Sequence, residues 1–145
     1  MGAGGMQVPS DRSWALLIAR LILGLIFFMS GIYKIFEMGL IAGAERLFLE
    51  PYADTFLPVW SLWATGVTIP FVELGAGLLV ILGLWRKPAY LALGGVLVTV
   101  TFGHMLANPF FSFHHDVFPR TALLLFLLWM GPTDDTLSLD ALRRR

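Results

Sequence analysis

The sequence has 145 residues, of which 57% are hydrophobic and 14% charged, and its ten basic and ten acidic side chains give a formal net charge of zero. Soluble globular chains carry about 25% charged residues, so this composition indicates a single-domain membrane protein. Zero net charge without a basic patch excludes nucleic-acid binding, and the absence of cysteine excludes disulfides, iron–sulfur clusters and cysteine-bound zinc. Any redox role must therefore use a bound cofactor or an external partner.

Four apolar segments predict four membrane-spanning helices within one domain at 1–145, approximately at residues 14–36, 58–84, 88–107 and 117–131. The first three have the length of about 20 residues that a helix needs to cross the hydrocarbon core of a bilayer. Pro70 interrupts the second, which a membrane helix tolerates where neighbouring groups satisfy the freed carbonyl. The fourth has about 15 residues, so its flanking residues should be drawn toward the hydrocarbon. The sequence thus predicts an all-α membrane protein, a four-transmembrane-helix bundle.

The loop between the first two segments, residues 37–57, contains an amphipathic segment. Its apolar side chains recur at helical spacing until Pro51 ends the pattern: Leu40, Ile41, Ala44, Leu47 and Phe48. Two interpretations are open, a helix that caps the bundle, which is favoured, and a helix that binds a partner protein.

The basic residues near the segment ends predict the orientation, because Lys and Arg are retained on the cytoplasmic side of a membrane. Most of them fall on one side of the predicted bundle: Arg12, Arg86, Lys87, Arg143, Arg144 and Arg145. Both termini, residues 1–12 and 132–145, are therefore predicted to be cytoplasmic tails. The loop at 37–57 is then on the outer side.

Polar residues inside the apolar segments fall on one face of each predicted helix. The first segment carries Arg20 and Lys34 on a stripe with Gly24 and Gly31, and glycines permit close helix packing. A charged side chain that faces lipid costs about 2.5–3.5 kcal/mol, so these faces should point inward. At about 1.5 Å of rise per residue, one group of side chains converges in the outer half of the bundle: Lys34, Glu73, His104, Arg120 and the loop residues His114, His115 and Asp116.

Each of these residues also has a purely structural interpretation. Lys34 lies near a helix end, where its ammonium can reach the interface, and His104 can be a histidine satisfied within the bundle. Glu73 lies deep enough to need a cation or a proton, so a structural ion pair is the alternative to a functional carboxylate. The run His114–Asp116 fits a solvated loop as well as a metal site. It lacks the spacing of strong zinc sites, and no metal site is predicted.

A carboxylate, cationic groups and imidazoles in a cavity of low dielectric constant can exchange protons near neutral pH. This set suits a quinone, with Glu73, His104 and Lys34 as the catalytic residues. Five further polar groups are the predicted substrate-binding residues: Arg120, Asn108, His114, His115 and Asp116. The ring and tail would fit among aromatic side chains: Phe27, Phe71, Phe102 and Phe110.

The same residues also bear on two other ligand classes, a small anion and haem. A small anion such as a sulfur oxyanion would bind Arg120 and Lys34. Haem is not expected, because no axial histidines are paired across two helices at one depth.

The first segment, RLILGLIFFMSGIYKIFE, and the second with its following turn, PFVELGAGLLVILGLWRKPAYLALG, resemble the DoxX family of small four-helix bacterial membrane proteins. The matching elements are Arg20, the step from Gly31 to Lys34, the run from Glu73 to Gly77 and the turn from Gly83 to Arg86. The resemblance implies a multi-pass location in the bacterial inner (plasma) membrane and an association with oxidoreductases. DoxD-type subunits of a thiosulfate:quinone oxidoreductase and DoxX-type partners in thiol-stress complexes are such cases. His114 and His115 do not match the family pattern.

Two functional hypotheses follow. The first is an oxidoreductase component that binds quinone and a sulfur-containing or other small reductant at the outer-half site. The alternative is a non-enzymatic membrane scaffold or assembly factor for soluble redox enzymes. Soluble redox proteins and a second copy of the chain are candidate partners, and small-molecule transport is disfavoured by the small number of spans. The buried charges favour the first hypothesis, since a scaffold does not need them.

Overall fold

The computed structural model describes residues 9–108, 117–131 and 135–143. These residues form α-helices joined by π-helical, 3₁₀ and turn segments, with no β-strand among them. The α-helices are α1 (Asp11–Ile32), α2 (Leu40–Ala44), α3 (Val59–Leu82), α4 (Arg86–Ala107), α5 (Phe118–Met130) and α6 (Leu139–Leu142). The predicted all-α class is confirmed for this part of the chain.

Three helices are long and apolar enough to cross a membrane. α1 continues as a π-helix to Glu37 and spans 27 residues with it, while α3 has 24 residues and α4 has 22. Only 28–39% of their most apolar windows is buried inside the bundle. Large apolar side chains such as Trp60 and Val98 therefore face outward, with 73% and 71% of their surface exposed. Such an exterior is stable in lipid, and the chain is a membrane protein in contact with the bilayer.

α5 occupies the fourth predicted span, and it is shorter than the other three. Its 13 residues extend about 20 Å, against about 30 Å of hydrocarbon in a bilayer. Among the described residues, the helices that meet the length of a span are thus α1, α3 and α4. The stretches on either side of α5, residues 109–116 and 132–134, lie outside the described residues.

α1 and α3 pack closely because glycines lie at their contact. A Cβ atom on Gly24 would be 3.0 Å from the carbonyl oxygen of Gly77, and a Cβ atom on Gly31 would be 2.7 Å from the backbone nitrogen of Leu74. These distances leave no room for a side chain, so the two backbones are in direct van der Waals contact. Buried apolar side chains of both helices extend the core beside this contact: Leu16, Leu23, Phe27, Ile69 and Val80.

The segment from Tyr33 to Tyr52 folds over one end of the bundle, and we call it the cap segment. It consists of a π-helix (Tyr33–Glu37), α2, a second π-helix (Glu45–Leu49) and a 3₁₀ turn (Glu50–Tyr52). Gly39 turns the chain into α2 with a φ of 82°, a conformation that favours glycine. Ala44 lies so close to Gly66 of α3 that a Cβ atom there would be 2.8 Å from the Ala44 Cβ. The cap segment therefore packs directly on α3, and we call this end of the molecule the Lys34 end.

The opposite end, which we call the Arg20 end, is covered by the C-terminal segment, residues 135–143. α3 ends at Gly83, whose φ is 69°, and Trp85 precedes α4 with a φ of 44°. The backbone N–H of Asp140 donates a hydrogen bond of 3.1 Å to the carbonyl oxygen of Gly83. Asp135 and Ser138 are buried. Part of the predicted tail at 132–145 is thus packed against the bundle.

The contact between α1 and α3 predicts that replacing two glycines of α3 by alanine changes the stability to different extents. Gly77→Ala should lower the free energy of unfolding by about 2 kcal/mol, because the new Cβ would lie 2.6 Å from the backbone nitrogen of Phe28. Gly75→Ala is the matched control, since nothing lies within 4 Å of a Cβ atom there. Thermal unfolding of both variants in mild detergent measures the difference. Equal midpoints for the two variants would contradict the close packing of α1 on α3.

Candidate functional site

A cavity of about 500 Å³ lies at the Lys34 end of the bundle. Its walls come from α1, the cap segment, α3, α4 and α5, so all three long helices contribute to it. Four of the residues selected from the sequence line it together: Lys34, Glu73, His104 and Arg120. The rest of the wall is largely apolar and includes Phe27, Phe48 and Phe102. A cavity with a few polar groups in an apolar wall is the usual form of a small-molecule site.

Lys34, on the π-helical extension of α1, and Glu73, on α3, form an ion pair. The Lys34 Nζ lies 2.9 Å from Oε1 and 2.7 Å from Oε2 of Glu73. Ser30, one turn before Lys34, donates a 3.3 Å hydrogen bond to the same carboxylate. The Glu73 side chain is 4% exposed and that of Lys34 is 19% exposed. The two charges therefore neutralise each other inside the cavity wall, and both carboxylate oxygens are already engaged.

His104 is oriented by its own helix. Its Nδ1 lies 2.7 Å from the carbonyl oxygen of Val100, one turn earlier on α4. A carbonyl oxygen only accepts hydrogen bonds, so Nδ1 carries the proton in this contact. In neutral His104 the second ring nitrogen, Nε2, is then the basic atom. The contact with Val100 thus sets the tautomer and the orientation of the imidazole in the cavity wall.

Arg120 brings a positive charge to the cavity from the first turn of α5. The side chain is half-buried, and it lines the cavity beside Val117. Lys34 is neutralised by Glu73, whereas no carboxylate of the described residues forms an ion pair with Arg120. A guanidinium presents several N–H donors in a fixed plane, which suits an oxygen acceptor on a ligand.

Tyr52 is a cavity residue that the sequence analysis did not select. It is buried, and its phenol lies against α4, where a Cβ atom on Gly103 would be 3.0 Å from the Tyr52 Oη. Burial raises the pKa of this phenol, so it remains a hydrogen-bond donor at neutral pH. The available signal was a lone polar aromatic residue directly after Pro51, where the amphipathic pattern ends. Hydroxyls of α1 and α3 were also missed: Ser30, Ser61 and Thr65.

Two other sequence-selected residues that the structure describes do not line the cavity. Asn108 is exposed at the end of α4 and is not part of the cavity lining. Phe71 is 51% exposed on the outside of α3. Four residues lie outside the described part of the chain, so the predictions for them stay predictions: Phe110, His114, His115 and Asp116.

A second charged cluster holds the Arg20 end together. Asp135 lies between two buried arginines, with its Oδ2 3.5 Å from the Arg20 Nε and 3.0 Å from the Arg86 Nη1. Arg20 also donates a 3.0 Å hydrogen bond to the carbonyl oxygen of Leu137. The guanidinium of Arg20 fills the space beside Gly83, where no side chain would fit. Arg20 therefore anchors the C-terminal segment on the bundle.

Asp140 caps α4 from the C-terminal segment. Its carboxylate accepts hydrogen bonds from the backbone N–H groups of Trp85 at 3.2 Å and Arg86 at 3.3 Å. Burial raises the pKa of this carboxyl, but the two N–H donors and the Arg86 guanidinium lower it more, so it lies below its ordinary value of 3.8. A carboxylate at a helix N-terminus also interacts favourably with the helix dipole. The C-terminal segment is thereby tied to the start of α4.

A comparison with protein-family models identifies the family. The model of the DoxX family matches residues 15–107, which cover nearly all of α1 through α4 and about two thirds of the chain. The chain belongs to the DoxX family. The match includes Lys34, Glu73 and His104 and ends before α5, which carries Arg120. No curated protein and no solved structure shows significant similarity to the chain.

In this DoxX protein, removal of the Glu73 charge should destabilise the bundle. Glu73→Gln leaves the Lys34 ammonium among apolar groups without its carboxylate, and loss of one partner of such a pair costs about 3 kcal/mol. The double variant Lys34→Met/Glu73→Gln removes both charges and should recover part of the loss. Thermal unfolding in detergent measures both. A single variant as stable as the wild type would show that the ion pair does not hold α1 on α3.

The contacts of Asp140 predict a pH-dependent contribution to stability. Because its pKa is lowered in the folded protein, the deprotonated form stabilises the fold above the ordinary pKa. That contribution disappears as the pH falls through the lowered value. The difference in unfolding midpoint between wild type and Asp140→Asn should therefore be constant near neutral pH and shrink below about pH 4. Subtracting the midpoint of Asp140→Asn from that of wild type at each pH cancels the titration of the groups that the two proteins share. A difference that does not change with pH would contradict this role.

Proposed function

We propose that this member of the DoxX family is an oxidoreductase component that binds a quinone in the cavity at the Lys34 end. The observation that carries the proposal is the composition of that cavity. A self-neutralised ion pair, an arginine, a phenol and an imidazole face a mostly apolar space of about 500 Å³. This volume lies within the range of small-molecule sites, roughly 300–1,000 Å³.

The polar groups match the two ring oxygens of a quinone. Arg120 and Tyr52 are donors for carbonyl oxygens, and the apolar wall with Phe27 and Phe102 suits an uncharged ring. Lys34 and Glu73 use their charges on each other, so their role in this proposal is to hold the wall of the site in place. We therefore assign direct ligand contact to Arg120, Tyr52 and His104, and a positioning role to Lys34 and Glu73.

Reduction of a quinone to a quinol consumes two electrons and two protons, and the reverse reaction releases them. His104 exchanges one of these protons with a ring oxygen: the neutral imidazole accepts it from a quinol hydroxyl and the cationic one donates it. Water from the outer side supplies or receives the second proton. Arg120 stabilises negative charge on the opposite oxygen while protons are in transfer. The electrons would come from a soluble redox partner or a small reductant, such as a sulfur-containing compound.

We propose a location in the bacterial inner membrane, as membership of the DoxX family suggests, with both termini on the cytoplasmic side, as the charge distribution supports. Arg12, Lys87 and Arg143 are exposed at the Arg20 end, and basic residues are retained on the cytoplasmic side. The cavity then lies toward the outer face. We propose that α5, together with its flanking residues, completes a bundle of four spans, with the bilayer adapting to its short length.

A membrane scaffold or assembly factor for redox enzymes is the second candidate function. It is favoured by the bidentate contact between Lys34 and Glu73, because a pair that satisfies itself can serve helix association alone. In that case the cavity would hold no redox ligand, and a soluble partner would bind outside the membrane.

Mass spectrometry of the protein purified in mild detergent tests the proposal. We expect quinone in stoichiometric amounts after organic extraction of the wild type. It should be lost in Arg120→Gln and His104→Ala, because the first removes the guanidinium charge and its planar set of donors and the second removes the imidazole. Arg46→Gln is the matched control, since Arg46 is exposed on the cap segment and does not line the cavity. A ligand-free wild type that retains a soluble partner would favour the scaffold function instead.

A further inference from the structure

A second concave surface lies between α4 and α5, and we call it the α4–α5 groove. It has a volume of about 660 Å³. Leu91 and Val98 of α4 and Leu125 of α5 line it and are each more than half exposed, so the groove opens on the outside of the bundle where lipid lies.

The α4–α5 groove adjoins the cavity at the Lys34 end. Leu97, Phe102 and Val117 line both spaces. From Phe102 the groove runs along α4 to Tyr90, a rise of about 18 Å toward the Arg20 end. A chain that leaves the cavity beside Phe102, a residue with 55% of its surface exposed, would therefore enter the groove on the membrane-facing side of the bundle.

The lining of the groove suits hydrocarbon. Gly94 and Gly95 leave space on the α4 side of the groove, because they have no side chains to fill it. The hydroxyl of Thr121 donates a 2.9 Å hydrogen bond to the carbonyl oxygen of Val117, so its donor is satisfied within α5. Most of the other lining side chains are aliphatic, including Leu124 and Leu128. A polar ligand would find few partners along this path.

We propose that the α4–α5 groove binds the hydrocarbon tail of the ligand whose head occupies the cavity. This inference rests on the proposed function and names its substrate class: a long-chain, lipid-soluble quinone, in preference to a water-soluble ring compound or a small anion. The tail leaves lipid when it binds, so its contribution comes from close packing in the groove and not from transfer out of water.

The test compares tailed and tail-free quinones on a variant that fills the groove. Gly94→Leu is suited to this, because a Cβ atom there meets only Leu124 Cδ2, at an ordinary distance of 3.4 Å, and the rest of the side chain has the groove to enter. Gly75→Leu is the matched control, since Gly75 is an exposed glycine on another long helix, with nothing within 4 Å of its Cβ position. The probes are decylubiquinone and the tail-free ubiquinone ring, with menaquinone and menadione measured in parallel.

Gly94→Leu should weaken binding of the tailed quinone by about tenfold and leave the tail-free ring within about twofold of wild type. Gly75→Leu should change neither. Comparing variants with the same compound cancels the partitioning of that compound into detergent micelles. If Gly94→Leu does not fold, Thr121→Leu fills the same groove from α5 and carries the same expectation.

Three results would overturn the inference. The tailed quinone could bind a folded groove-filled variant as well as it binds wild type, which would place its tail elsewhere. A co-purified phospholipid could be lost from Gly94→Leu while binding of tailed quinone stays unchanged, which would assign the groove to a lipid acyl chain. If neither tailed nor tail-free quinone binds wild type, the proposed quinone function itself fails, and the tail site falls with it.

Discussion

Lys34 and Glu73 meet between two helices whose other contacts are mostly glycine and hydrocarbon, and this ion pair, with the Ser30 hydroxyl beside it, sets the geometry of the Lys34 end. In such surroundings a lone charge is strongly disfavoured, so each residue requires the other. Lys34 lies on the π-helical extension of α1 and Glu73 lies within α3. Gly31 lets the two backbones approach closely one turn before Lys34. The pair therefore fixes how the end of α1 is rotated against α3, and with it the start of the cap segment.

The same requirement acts at the Arg20 end with a different solution. Arg20 and Arg86 are both buried and share Asp135, which the C-terminal segment supplies. Ion pairs thus lie at both ends of the α1–α3 pair, with glycine contacts between them. α4 is joined to this frame at its start by Asp140, and α5 packs on α1 and α4. The cavity lies where α4 and α5 meet the α1–α3 pair, and the α4–α5 groove lies where α4 and α5 meet each other. A ligand could therefore enter either space without separating α1 from α3.

The helices and their inward faces could be predicted because apolar periodicity and isolated charges carry strong information in a membrane protein. Lys34, Glu73 and His104 are rare polar groups in long apolar runs, and helical rise alone brings them to a similar depth. Tyr52 could not be placed this way, since its position depends on the chain reversal at Gly39 and on the irregular helices of the cap segment. Asp135 was also out of reach. It lies in a polar stretch without periodicity, and its contact with Arg20 is made across nearly the whole chain.

The polar groups of the cavity differ in how much net charge they bring to it. Lys34 and Glu73 cancel, and the Nδ1 proton of His104 is directed to the Val100 carbonyl, so Arg120 contributes the net positive charge of the described wall. A cation in a partly dehydrated cavity favours ligands that gain negative charge, and it does so most when water is excluded. A quinone is neutral when oxidised and becomes electron-rich as it is reduced. If the proposed quinone binds here, the apolar wall would hold the neutral ring, and Arg120 would stabilise the anionic forms that arise before the reduced ring is protonated.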